Sequence, residues 1–255
     1  MMLLKHTDSR PDLRLVEKLL GSIQSSSDQN PPGQGLAALA CAGAKEAERQ
    51  ARKETEKQQI LAKQKNRVKL AQDGIIVLGG IFYDLSEKIK NYAPTANVDN
   101  ILLESRSRII SGRITLGTGR IEWRTMDPEE PVSEDGFSKS NWDVVTGATI
   151  RVRQETNKRP GYGSSLWYMR KDKADSYRWF EVSYKLHPLS RKAAPYEPFE
   201  LDSIQDADLA AASGMQIYEI ASEPEPIDYG DSQTFLDRWF KRFAEASQGR
   251  LQRPR

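Results

Sequence analysis

The sequence predicts an α+β fold: a helical N-terminal arm followed by an antiparallel, sandwich-like β-sheet domain with a packed C-terminal helix. Three observations predict it. Between Leu61 and Tyr92 the residues Leu61, Gln64, Val68, Ala71, Ile75, Leu78, Phe82, Leu85, Ile89 and Tyr92 recur at spacings of 3 and 4, and nine of the ten are apolar. After Pro94 the helical period gives way to short alternating runs separated by glycine-rich turns. Close to the C-terminus, Phe235, Leu236, Trp239, Phe240 and Phe243 again share one helical face. The chain accordingly divides into 1–35, a short docking helix and linker; 36–94, a long helical arm, basic and then apolar; and 95–255, the β-rich domain.

In chain order, residues 12–23 read as a short amphipathic helix, with Asp12 as cap and Leu13, Val16, Leu20 and Ile23 on one face. Twelve residues are marginal as an isolated helix, so this element docks on the chain's own body or in a partner's groove. The stretch 25–35 (SSSDQNPPGQG) is a linker by composition. Residues 45–69 contain no proline and favour helix throughout but are polar on nearly every face, so they read as a solvated helix or a partly disordered arm; a continuous helix from about 37 to 92 would be ~80 Å long. Gly74, Gly79 and Gly80 each cost about 1 kcal/mol against alanine there. With Ile76, Val77 and Ile81 outside the stripe, they argue against a simple coiled coil. A core helix lying across a sheet, a self-associating seam and a short IIVL strand between glycine turns all remain open.

The β-rich part begins with two strands in 106–126 around Gly117-Thr118-Gly119, with a bulge expected at Gly112. One or two strands follow in 142–154, and 157–165 reads as a basic, glycine-rich turn. A hairpin of 165–170 and 176–186 comes next, with Phe180, Val182, Tyr184 and Leu186 on one face. Further pairing is expected at 195–201 and 215–220, a short helix at 203–212, and the last helix at 232–248. Asp231 or Ser232 caps that helix and Gly249 ends it.

Composition excludes several classes. The single cysteine, Cys41, rules out an internal disulfide framework, and two histidines, His6 and His187, are too few for a histidine-based metal centre. No GxxxxGK(S/T) or strand-borne GxGxxG is present, and neither histidine accompanies a GxSxG nucleophile. The apolar centre of the helix, Ile75 to Leu85, falls short of the ~20 residues a membrane span needs. The start, MMLLKHTDSR, lacks the apolar run of a signal peptide, so a cytoplasmic protein is expected. Asp202, Asp206 and Asp208 read as a cap and solvated face rather than a hard-cation site, and Asp175, Glu181 and Lys185 lack the compact spacing of a metal nuclease. Trp142, Trp167, Trp179 and Tyr168 read as core rather than as a stacking platform.

The net charge of +2 conceals an asymmetry. Residues 45–72 hold nine Lys/Arg and four Glu, whereas 193–237 hold eleven Asp/Glu and no Lys or Arg. The function expected is therefore a non-enzymatic interaction or adaptor subunit of a larger cytoplasmic assembly. It has no cofactor, no metal and no catalytic residue, and it docks a protein partner or a second copy of itself. Ile75, Leu78, Phe82, Leu85 and Ile89 are the candidate partner-binding residues, anchoring the arm against the sheet or against another chain. The alternative is a sequence-independent nucleic-acid-associated factor using Lys57, Lys63, Lys65, Arg67 and Lys69. Arg151, Arg153, Lys158 and Arg159 of the sheet domain add to that basic set.

Overall fold

The computed structural model of the protein describes residues 33–103, 110–126, 142–155, 161–171, 176–190, 196–203, 206–207, 210 and 217–252. The expected helix at 12–23 and residues 25–32 of the linker, together with His6, Lys158, Arg159, Asp175 and Asp208, lie outside them; the end of the expected linker, Gln34 and Gly35, is already helix. Helix α1 runs unbroken over Gln34–Tyr92, and the Ile75-Ile76-Val77-Leu78 stretch is helical, not a strand. Its stop before Pro94 follows from proline's clash with a helical preceding turn. The chain forms two compact units, Met1–Ile60 and Leu61–Arg255. In the first, the described residues are a helix exposed on every side, with exposed ion pairs Arg49–Glu46 and Arg52–Glu48.

The second unit is built on a seven-stranded antiparallel sheet. Its strands are β1 (Asn97–Leu103), β2 (Ile110–Leu116), β3 (Gly119–Thr125), β4 (Trp142–Gln154), β5 (Gly161–Lys171), β6 (Arg178–Val182) and β9 (Glu225–Ile227), in the order β1-β2-β3-β4-β5-β6-β9. Two further strands, β7 (Tyr184–Leu186) and β8 (Tyr218–Ile220), make a separate two-stranded sheet. Helix α2 (Gln233–Ser247) follows β9.

One face of the large sheet is covered by helix. Leu78, Ile81, Phe82, Leu85 and Ile89 of α1 pack with Ile114, Ile121, Trp123, Ile150, Val152, Leu166 and Trp179 of the sheet and with Leu236, Trp239 and Phe243 of α2. Each such side chain contributes about 1.5–3 kcal/mol by leaving water. The helix glycines are explained by close approach: a Cβ on Gly74 would lie 2.6 Å from the Tyr168 ring, and one on Gly79 2.7 Å from Ile110. Burying Gly74 also lets its carbonyl accept a hydrogen bond from Trp179 Nε1 at 2.8 Å.

On the opposite face a second core forms among the described residues. Trp142, Val144, Trp167, Met169 and Val182 form a second core with Tyr184 of β7 and with Tyr196, Phe199 and Leu201 of the segment that crosses the sheet. The expected 176–186 strand divides between two sheets at Ser183, where Tyr184 pairs with Ile220 and, by a single bridge, Phe199, yet Phe180, Val182, Tyr184 and Leu186 all border this second core, as their alternation implies. Trp142, Trp167 and Trp179 are all core, at 8%, 0% and 1% exposure.

Two local expectations are corrected. Pairing of β2 with β3 is regular through Gly112, so there is no bulge at that position; Gly112 faces Trp123 across the ladder, and a Cβ there would fall 2.3 Å from the indole. Register shifts occur instead between Asp99 and Leu102 and between Val144 and Thr146. The second shift carries β4 from one core to the other, Val144 facing the crossing segment and Ala148 and Ile150 facing the helices. Residues 161–165, expected as turn, belong to β5. The β2–β3 turn does form at Gly117-Thr118, with Gly117 at φ 54°, and it docks on the end of α2. There Thr118 Oγ1 donates to the Ala246 carbonyl at 2.7 Å, beside the bond that carbonyl takes from the Gly249 N–H at 3.1 Å. Gly249, at φ 72°, ends α2 as expected; Ser232 occupies the N-cap position without a side-chain cap bond.

Candidate functional site

The five expected partner-binding residues are placed in the chain's own core: Ile75, Leu78, Phe82, Leu85 and Ile89 are 0–5% exposed. Phe82 stacks on Trp123 with ring centroids 5.1 Å apart. Their surface is therefore already occupied by the sheet.

The basic run separates into two roles. Lys57, Lys63, Lys65 and Lys69 are exposed. Arg67 is not part of that free set. Its Nη1 donates to Asp143 Oδ1 at 2.9 Å and its Nη2 to the Val144 carbonyl at 2.5 Å, tying α1 to β4 beside the register shift. Asp143 also accepts from Arg170 and from the Tyr177 hydroxyl. Burial pushes the Asp143 carboxyl up, but the hydrogen bonds from Tyr177 and Arg67 and the two guanidinium charges outweigh it and hold the group below its ordinary value.

The remaining candidates do not converge. Glu181 points under α2, whereas Lys185 is exposed and pairs with Glu219 at 3.3 Å. His187 lies 3.4 Å from the same Glu219. Among the described residues no group of three His, Cys, Asp or Glu is placed to hold a metal ion, and no helix is long and apolar enough to cross a membrane.

Glu181 is the centre of a buried polar cluster that the sequence did not single out as such. It accepts from Ser164 Oγ at 3.0 Å and from Arg238 Nη2 at 2.6 Å, with Arg242 Nη1 at 3.5 Å. The Arg242 guanidinium lies 3.4 Å from the Tyr162 ring centroid, and burial lowers its pKa. This cluster fastens α2 to β5 and β6.

A charged surface lies on the face of β2, β3 and β4 opposite the helices. Strand register sets three cross-strand rows over β2, β3 and β4: Ser111–Arg124–Thr149, Arg113–Glu122–Arg151 and Thr115–Arg120–Arg153. Cross-strand neighbours are about 5 Å apart, so these side chains interact directly. Arg113 and Arg151 reach Glu122 at 3.4 and 3.2 Å, and Arg120 is 3.7 Å from it. The crossing segment forms one wall, where Arg151 pairs with Glu200 at 3.1 Å and Arg153 stacks 5.6 Å from the Tyr196 centroid. Burial pushes Glu200 up, and pushes Tyr196 up to about 12. A cavity of about 420 Å³ opens on this face, lined by Asp99, Arg113, Glu122, Arg124, Thr149 and Arg151 among others.

A second cavity, of about 590 Å³, lies between the end of α1 and α2, with Ile89, Tyr92, Leu116, Phe240 and Phe243 in its walls. Of the residues on the arginine face, only Arg151 and Arg153 stand out from sequence. The alternation of β2 and β3 is the available signal for the others, but it does not say which strands lie side by side. No protein family, curated protein or solved structure matches the chain.

Proposed function

We propose that the protein is a non-enzymatic interaction module that assembles through the exposed part of α1. The observation that carries this reading is that residues 34–66 are helical yet exposed on every side. Most helices draw their stability from an apolar face packed against something else, and side-chain pairs such as Arg52–Glu48 contribute only about 0.2–0.5 kcal/mol each. Leu36, Leu39, Ile60 and Leu61 stand 64%, 70%, 43% and 54% exposed along this segment, available to a partner.

The occupant that charge favours is a second copy of the chain. Residues 45–72 carry the basic excess, and the 193–237 stretch presents exposed Glu197, Asp202, Glu223 and Asp231. Nucleic acid is the second reading, favoured by exposed Lys57, Lys63, Lys65 and Lys69. Against it, Glu46, Glu48, Glu54 and Glu56 precede Lys57 on the same exposed helix and repel phosphate there.

Size-exclusion chromatography with light scattering on the full chain tests the proposal. Above-monomer mass is expected at about 0.05 M salt, falling to monomer at about 0.5 M, where screening is strong. Replacing Lys57, Lys63, Lys65 and Lys69 by Glu should give monomer at low salt with an unchanged melting temperature. A wild-type monomer at every salt concentration refutes assembly by copies. A raised 260/280 nm absorbance ratio, abolished by the same replacements, puts nucleic acid in first place.

A further inference from the structure

We propose that the arginine-lined cavity over β2, β3 and β4 binds a small organic phosphate. Three features of its lining point to this ligand class. Arg124 is exposed and has no ion-pair partner among the described residues, whereas Arg113, Arg120 and Arg151 all lean on Glu122. Arg124 is flanked in register by Ser111 on one side and Thr149 on the other, so a guanidinium stands between two hydroxyls in a single row. A guanidinium fork with flanking hydroxyl donors suits a tetrahedral oxyanion, which takes more hydrogen bonds than a planar carboxylate.

Charge agrees. The lining holds Arg113, Arg124 and Arg151 against Asp99 and Glu122, an excess of one positive charge in a recess rather than on open surface. Because Glu122 is shared by three guanidinium groups, its own repulsion of an anion is offset where it stands.

Size sets the rest of the ligand. About 420 Å³ lies in the range of small-molecule sites and leaves room beyond a bare phosphate. Asp99, at the rim on β1 and opposite Arg113 in register, offers a carboxylate acceptor to a hydroxyl group on the organic part. The ligand class is thus a phosphomonoester bearing hydroxyls. The site is independent of the exposed helical segment and stands whether or not copies assemble.

The test is isothermal titration of the full-length protein with inorganic phosphate and with glycerol 3-phosphate. Glycerol 3-phosphate is expected to bind, more tightly than inorganic phosphate and more weakly as salt rises. Arg124→Gln should weaken binding by about tenfold or more, the scale of one lost charge-assisted hydrogen bond. Arg178→Gln, on β6 and outside the lining, controls for lost net charge and should leave the affinity unchanged. Both arginines are exposed, and circular dichroism with thermal melting verifies that each variant folds. No heat from either probe up to about 10 mM, far weaker than the mM–μM range of a specific site, overturns the proposal. So does equal affinity for the two probes, or an equal effect of the two substitutions.

Discussion

Removing the Glu181 carboxylate tests how α2 is held, and the expected loss follows from its neighbours. Glu181 is 8% exposed as a side chain and faces Arg238 at 2.6 Å, Arg242 at 3.5 Å and Ser164 at 3.0 Å. Breaking a buried ion pair from one side costs about 3–5 kcal/mol, because the partner charge is left without compensation. Arg238 is 32% exposed and keeps Glu225 at 2.6 Å, so its share is largely screened. Arg242, at 18%, rests on Tyr162 and Trp239 and has no other carboxylate within ion-pair distance among the described residues. Glu181→Ala is therefore expected to destabilise the second unit by about 3 kcal/mol, near the low end of that range. Glu181→Gln keeps an acceptor for Ser164 and should cost about half as much. Replacing Glu181 and Arg242 together by Met should recover most of the loss, since a paired apolar exchange removes both desolvated charges. Urea unfolding followed by tryptophan fluorescence measures all three, with the slope m verifying that the unfolding unit is unchanged. A loss below about 1 kcal/mol for Glu181→Ala, the scale of an exposed pair, would show that the cluster is solvated and refute the reasoning.

Three further outcomes are expected. Phe82→Ala removes a fully buried ring stacked on Trp123 and should cost about 3–5 kcal/mol in urea unfolding, whereas Tyr83→Ala, on the exposed side of the same turn, should change stability by less than about 0.5 kcal/mol. Because the folded Asp143 pKa is lowered, the unfolded chain binds the extra proton, so its stabilisation is present above the ordinary Asp value of about 4 and is lost as pH falls through the folded value. Asp143→Asn should accordingly lower the urea midpoint at pH 7, with the gap to wild type closing in that acid range; a gap constant with pH contradicts the sign. Gly112→Ala places a Cβ 2.3 Å from the Trp123 indole and should cost about 1–3 kcal/mol by overpacking, read as a lower melting temperature with tryptophan emission shifted to the red.

Helix α1 and helix α2 are legible in the amino-acid sequence because their signal is local. A 3-and-4 spacing of apolar residues declares one face of a helix, Pro94 declares where the first ends, and Gly249 where the second does. The same spacing does not say what covers the face. For Ile75, Leu78, Phe82, Leu85 and Ile89 a partner chain and the protein's own sheet present the same apolar surface, and only packing distinguishes them. The basic run illustrates the matter for charge: Arg67 resembles its lysine neighbours in sequence, yet it alone finds a carboxylate 76 residues away.

The strands are legible as alternations, but their neighbours are not. Strand β9 carries too few residues for a period to emerge, β1 (NVDNILL) does not alternate cleanly, and Ser183 passes from one sheet to another without any local mark. By itself, then, the sequence determined the α+β class, the end of α1 before Pro94, the position of α2, the β2–β3 turn at Gly117 and the two-sided charge distribution, all consequences of interactions within a few residues. Tertiary structure alone decided that Arg113, Glu122 and Arg151 share one row and that Glu181 lies beneath Arg238 and Arg242. It also decided that Arg124 stands between Ser111 and Thr149. Those juxtapositions depend on strand order and register, which are selected by the combined burial of two cores rather than by any single stretch of chain.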